Sequence, residues 1–244
     1  MQILNSLDNP KIKLLDQLKH KKYRKEHSKF LAEGINACST LIQKLSLNSI
    51  FILEDHFEEV KKIAPESKIF IINKKILNKV SNASTPSGII AIFDIPKTKA
   101  KLTEGIVLAQ IQDPGNMGTL IRTAAAMNLK TVVSVESVDV WSPKVVQATA
   151  GTIANLSISE ISWNELLEKK DKLELCALVV KDGKDAKDID FKNKLLVIGN
   201  EAQGIPKEWI KDCEKKLTLQ MPGKTESLNA AVAGSIAMYL AFAK

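Results

Sequence analysis

Compact apolar runs alternate along this chain with longer stretches whose apolar positions recur every three to four residues. The first pattern fits buried strands and the second fits helices facing a core, so the alternation predicts an α/β fold. In the first section, Asn9-Pro10 offers a cap and a first helical residue for a helix running toward Arg24. Phe30-Leu-Ala predicts a short strand, and residues 35–45 a helix with Ile35, Cys38, Leu41, Ile42 and Leu45 on one side. Further strands are predicted at 50–53, 69–72 and 89–93. At 94–103 the periodicity stops, and proline, threonine and lysine take over, which marks a linker. The second section repeats the alternation more regularly. Strands are predicted at 106–111, 132–135, 175–180, 195–198 and 217–219, and helices at 117–127, 143–153, 163–170, 207–213 and 228–243. Ser142-Pro143 gives a cap followed by a proline at the first helical position, and Ser162-Trp-Asn-Glu165 fits a capping box.

Length and composition add bounds to this pattern. A chain of 244 residues with 45% hydrophobic residues has one large or two modest domains and can build a core without staples. Cys38, Cys176 and Cys213 have no metal-ligand or paired spacing, which predicts reduced, buried thiols in a cytosolic protein. The three histidines, His20, His27 and His56, have no metal spacing and no partnered nucleophile, so no metal is expected. The opening residues lack a basic segment followed by a long apolar one, and the apolar stretch 230–243 is too short for a bilayer. A cytoplasmic protein without membrane attachment is therefore expected.

Charge divides the chain at the linker. Residues 1–100 hold 17 Lys and Arg against 10 Asp and Glu, whereas residues 101–244 are balanced. Most of the excess lies at 11–29, where Lys11, Lys13, Lys21, Lys22, Arg24 and Lys25 are interleaved with Tyr23, His20 and His27. Such a field suits a polyanion such as RNA, and equally describes a solvated lysine-rich helix face.

Three polar, glycine-containing segments follow predicted strands. The first is Asp113-Pro-Gly-Asn-Met-Gly-Thr-Leu-Ile-Arg122. Gly115 and Gly118 permit a tight turn from strand to helix, and Arg122 can grip a phosphate or carboxylate, or can be a plain surface arginine. The second, Gly199-Asn-Glu-Ala-Gln-Gly204, places Glu201 at the mouth of the most strand-like run, where a carboxylate needs a partner or a cleft. The third, Met221-Pro-Gly-Lys-Thr-Glu-Ser-Leu-Asn229, opens the apolar final helix. Ser227 fits a helix cap, and Asn229 falls in the first turn of a helix that is otherwise largely apolar. In an α/β fold ligands bind at the carboxyl ends of the strands, so three such segments can converge on one pocket. None matches a dinucleotide or Walker phosphate loop.

Taken in order, these segments resemble the three motifs of the SpoU (TrmH-like) RNA ribose 2′-O-methyltransferases of the SPOUT superfamily. Ser137-Val-Asp-Val-Trp-Ser-Pro-Lys-Val-Val146 and Ala150-Gly151 are similar to that family as well. The basic section, with Asn9-Pro10 and Lys29-Phe-Leu-Ala-Glu-Gly34, resembles the substrate-binding domain that precedes many of these enzymes. The resemblance implies an RNA-binding domain at 1–96, a linker at 97–104 and, at 105–244, a parallel-sheet α/β domain with a deep trefoil knot. It implies S-adenosylmethionine as methyl donor, held around Gly199, Gly204, Leu219, Met221 and Leu228, and a homodimer with the site near its interface. It also implies Asn116, Arg122, Glu201, Ser227 and Asn229 as the catalytic set. Because a guanidinium stays protonated in proteins, Arg122 is expected to clamp phosphate and developing alkoxide rather than act as a base, with Glu201, Asn116 and Asn229 orienting both it and the ribose hydroxyl. Gln220, Ala230 and Gln147 depart from the family pattern, the last removing a candidate phosphate contact. Ribosomal RNA is the expected substrate, with transfer RNA as the rival. A non-catalytic RNA-binding protein of the same fold is the alternative from another class.

Overall fold

In the computed structural model, residues 2–97, 101–223 and 228–243 are described, and the chain divides into two compact units. The first comprises Met1–Lys97 together with Trp141–Ala154, and the second comprises Thr98–Val140 and Asn155–Lys244.

The first unit is built on β1 (Gln2–Leu4), α1 (Pro10–Gln17), α2 (Lys21–His27), β2 (Lys29–Glu33), α3 (Ile35–Ile42), β3 (Leu47–Ile52), α4 (Phe57–Val60), β4 (Ile69–Ile72), α5 (Lys74–Val80) and β5 (Ile89–Asp94). Its sheet order is β1-β4-β3-β5-β2, parallel across the first three strands and antiparallel where β5 meets β3 and β2. Ile12, Leu15 and Leu18 pack with Phe51, Phe70 and Ile92 over one face. The helix expected to run unbroken toward Arg24 is instead two. Asn9 caps α1 as expected, but the chain extends at His20 (φ −102°, ψ 135°) before α2 begins.

The second unit carries β6 (Gly105–Ala109), α6 (Pro114–Ala126), β7 (Thr131–Val135), β8 (Ser157–Glu160), α8 (Trp163–Lys169), β9 (Glu174–Leu178), β10 (Lys194–Ile198), α9 (Lys207–Lys211), β11 (Lys215–Leu217) and α10 (Ala230–Phe242). The intervening α7 (Pro143–Ala148) groups with the first unit, where it packs on β2. Helix α7 opens on Ser142 and α8 on the expected Ser162–Glu165 capping box. The strands form one wholly parallel sheet, ordered β11-β9-β10-β6-β7-β8. All six carboxyl ends therefore face the same edge. From β6 the chain steps outward to β7 and β8, then returns to build β9 and β10 on the other side. The order reverses between β6 and β10, where a parallel sheet opens a crevice. Val107, Val133, Leu195 and Val197 cover one face with the stacked rings of Trp163 and Trp209. On the other face Gly234 of α10 lets that helix approach Leu120 of α6 and Ile198 of β10, where an added Cβ would lie 2.5 and 2.9 Å away.

Among the described residues no helix is long and apolar enough to cross a membrane. All three cysteines are free thiols; Cys38 and Cys176 are buried, while Cys213 is only half-buried, against the expectation for it. Burial pushes the Cys38 thiol up to about 12, with Glu33 adding to the effect.

Candidate active site

The crevice between β6 and β10 receives the described residues of all three polar segments. The first does not make the expected glycine turn. Asp113 caps α6 through its side chain, accepting from the Asn116 N–H at 2.7 Å, and Pro114 takes the first helical position, so Gly115 and Gly118 already lie in the helix. The reversal from β6 falls instead to Gln110, a non-glycine residue at φ 57°. In the second segment Asn200 and Gly204 bond each other's backbones, with Gly204 at φ 69°. Gly199 faces this closure so tightly that a Cβ would stand 2.4 Å from the backbone of Gly204 and of Ile205. Asn200, absent from the residues expected to matter, fastens the loop: its Nδ2 donates to the Gln110 carbonyl at 2.8 Å, and its Oδ1 accepts from the N–H of Ala202 and Gln203.

The third segment ends differently from expectation as well. Asn229 lies just before the helix and caps α10, its Oδ1 accepting from the N–H of Ala231 at 2.9 Å and of Val232 at 3.2 Å. Ser227 lies outside the described residues.

Three side chains join these segments. Asn116 Nδ2 donates to Glu201 Oε1 at 2.9 Å, and Asn229 Nδ2 donates to Asn116 Oδ1 at 3.1 Å. Both ends of this chain fix its polarity. An ionised carboxylate can only accept, and the first N–H groups of α10 can only donate, so each amide has one orientation that satisfies it. Glu201 also accepts from the N–H of Asp113 at 3.3 Å and of Gln112 at 3.4 Å. Partial burial pushes the Glu201 carboxyl up, but the Asn116 bond and the backbone N–H groups of Glu201, Asp113 and Gln112 outweigh it and hold the carboxyl below its usual range. It stays an anion at neutral pH.

Beside Glu201 opens a cavity of about 230 Å³. Gly199, Gly204, Leu219, Met221 and Leu228 all line it, as do Glu201, Ala230 and Ala233. Leu178, Val179 and Val180 at the end of β9 complete the wall; they stand at a strand end like the rest but carry no polar motif to mark them.

Two expected site residues take no part in this hydrogen-bond chain. Arg122 is exposed on α6 and makes no hydrogen bond or ion pair among the described residues, so Glu201, Asn116 and Asn229 bond one another rather than orienting it. Arg24, placed with the RNA-facing cations, is buried, and its Nη1 donates to the Leu18 carbonyl at 2.7 Å, across the break between α1 and α2. Lys11, Lys13, Lys21, Lys22 and Lys25 are exposed.

Residues 105–239 match the model of the SpoU rRNA methylase family. The chain belongs to that family. Residues 9–91 match the MRM3-like substrate binding domain. An uncharacterized tRNA/rRNA methyltransferase of Synechocystis is 29% identical over 97% of this chain and 92% of its own. The 23S rRNA guanosine 2′-O-methyltransferase RlmP of Bacillus subtilis is 24% identical, covering 98% of both chains. A 23S rRNA uridine 2′-O-methyltransferase of Streptomyces viridochromogenes is 28% identical over 63% of this chain and 59% of its own. The crystal structure of an AdoMet-bound rRNA methyltransferase from Sinorhizobium meliloti superposes with a TM-score of 0.85 at 25% identity, over 98% of this chain and 96% of that one. This member of the SpoU family thus matches relatives along almost its whole length.

Proposed function

We propose that this chain transfers the methyl group of S-adenosylmethionine to a ribose 2′-OH of ribosomal RNA in the cytoplasm. The observation that carries the reading is that the apolar cavity and the Glu201–Asn116–Asn229 chain meet at one residue, Glu201, at the switch point of a parallel sheet. Bound there, S-adenosylmethionine supplies an electrophilic methyl group. The cavity suits it: Leu178, Val180, Leu219, Met221 and Leu228 offer an apolar wall for an adenine, and the missing Cβ of Gly199 lets the 200–204 loop close beside it. Glu201 Oε2, which accepts the long bond from Gln112, keeps a lone pair to accept a hydrogen bond from a ribose hydroxyl and so orient it. Asn116 and Asn229 hold that carboxylate in place. Arg122 clamps the adjacent phosphate and the developing alkoxide, and Ser227 shapes the pocket.

Residues 1–96 capture RNA through Lys11, Lys13, Lys21, Lys22 and Lys25, residues 97–104 link, and residues 105–244 do the chemistry as a domain with a deep trefoil knot. The active form is a homodimer. Its support is the stripe of Val232, Ile236, Tyr239 and Leu240 on α10, all more than 40% exposed and spaced to share one side of the helix. Mapping 2′-O-methylation across ribosomal and transfer RNA, in cells with and without the gene, tests the reading. A lost ribosomal methyl mark is expected, and a lost transfer-RNA mark would reassign the substrate. Titration calorimetry with S-adenosylmethionine separates an enzyme from an inert RNA-binding protein, which would give no heat.

A further inference from the structure

Polar contacts continue from Glu201 in the direction opposite to Asn116, and methyl transfer as described makes no use of them. Gln112 is the joint. Its backbone N–H donates to Glu201, while its Nε2 donates to the carbonyl oxygens of Gln110 and Glu136, both at 3.3 Å. Gln110 Nε2 then donates to Glu136 Oε2 at 2.8 Å. An unbroken polar strip therefore crosses the ends of β7, β6 and β10, from Glu136 through Gln110 and Gln112 to Glu201. Gln110 and Glu136 each stand directly after the last residue of their strand, and each adopts a left-handed backbone, at φ 57° and 49°. For side chains of this kind that conformation costs on the order of 1 kcal/mol, and such costs concentrate at functional sites. Here it accompanies a meeting of the two side chains. Glu136 and Gln112 are exposed at the mouth of the crevice.

We propose that Glu136, held by Gln110, reads the base of the target nucleotide, and that this base is guanine. The inference rests on the methyl-transfer reading, because it places the target ribose at Glu201. The apolar cavity and α10 flank Glu201 on its other side, so the base has the strip to lie along. Glu136 Oε2 is engaged by Gln110, and Oε1 accepts no hydrogen bond among the described residues. An ionised carboxylate only accepts, so it selects a base that presents donors. Guanine alone carries two adjacent donors, N1–H and the N2 amino group, on its Watson–Crick edge. Uracil offers one donor between two acceptors, and adenine and cytosine set an amino donor beside a ring acceptor. Reading an accessible base by that edge is how single-stranded RNA is recognised. Membership in the SpoU family leaves this choice open, since its members act on different bases.

The test uses the full chain, S-adenosylmethionine and total RNA from cells lacking the gene, followed by digestion and mass analysis of the methylated nucleosides. The wild-type protein is expected to form 2′-O-methylguanosine; a different 2′-O-methylnucleoside as sole product overturns the proposal. Glu136→Gln should lower kcat/KM at least tenfold through KM for RNA, while the Kd for S-adenosylmethionine stays within twofold. With inosine at the mapped target, which lacks the 2-amino group, the wild-type rate should fall while the variant's barely changes. Equal losses in both proteins, or a variant as active as wild type, would show that Glu136 does not touch the base. No methylated nucleoside at all from the wild-type protein would remove the underlying methyl-transfer reading, a result distinct from a wrong base.

Discussion

One amide, Asn229, ends the hydrogen-bond needs of α10 with its oxygen and reaches across to Asn116 with its nitrogen. Asn116 passes that constraint to Glu201. Asn116→Ala should therefore cost about ten- to a hundredfold in kcat, roughly 1.4–2.7 kcal/mol of barrier, with the Kd for S-adenosylmethionine little changed; an unaltered kcat would break the chain's claim to position Glu201. Arg122→Lys should lose most transfer with cofactor binding intact, because lysine lacks the bidentate fork; near-normal turnover would sink the clamp. Glu201 yields a pH prediction. Its folded pKa is depressed, so its ionised form, and the stability its bonds contribute, are present above the unfolded carboxyl value and are lost as pH falls through the lower folded one. Rate–pH profiles should show an acid limb below the ordinary glutamate range that Glu201→Gln removes; a limb near neutrality would contradict it. The sequence motifs identified these residues but not their bonding. Asn229 was legible as polar at a helix start, yet whether it caps or follows the cap depends on one residue of helix phase. Arg24 was misplaced for a related reason. In a run of lysines every cation looks solvated, and only the break at residues 18–20 leaves a carbonyl for its guanidinium to satisfy.

Elements were easiest to read where their apolar pattern was long. The parallel strands β6, β7, β9 and β10 are largely buried and appear in the sequence as mostly apolar runs. Strand β8 was not legible: it is an edge strand in which only Ile158 is buried, so neither run nor clear alternation marks it. The start of α6 misled in the other direction. Gly115 and Gly118 suggested a turn, but the Asp113–Pro114 cap begins the helix before them, and the turn is made by a glutamine whose left-handed backbone no residue pattern announces. Gly199 is fixed by close packing against backbone. Gly199→Ala would push a methyl group into backbone at 2.4 Å, which cannot yield as a side chain end can. A loss of about 1–3 kcal/mol in stability, read as a lower Tm, is expected together with weaker S-adenosylmethionine binding. Gly204→Ala meets no atom within 4 Å and carries only the strain of φ 69°, so it should cost less. Equal Tm values for the two variants would contradict the packing account.

Across the whole molecule, charge and chemistry sit in different stretches of chain. The balanced second section supplies every residue that lines the cavity, while the surplus of positive charge lies before the linker. That division was legible in the sequence because net charge needs no knowledge of the fold. Which cations face solvent was not, and this difference supplies a sharp test. Replacing Lys11, Lys21, Lys22 and Lys25 by glutamine removes four exposed charges and leaves the buried core as it is. If these lysines neutralise phosphates, RNA affinity should fall, and the slope of log K against log salt should flatten by about 0.7 for each single-strand phosphate no longer neutralised. kcat at saturating RNA and the Kd for S-adenosylmethionine should hold, because the cavity and the Glu201 chain are untouched. Arg24→Gln removes the same unit of charge from the same run, yet its cost should appear as a lower Tm, since its guanidinium serves the Leu18 carbonyl inside the fold. A salt slope unchanged by the four lysine substitutions would mean that RNA is captured elsewhere, and that the basic run is a solvated helix face.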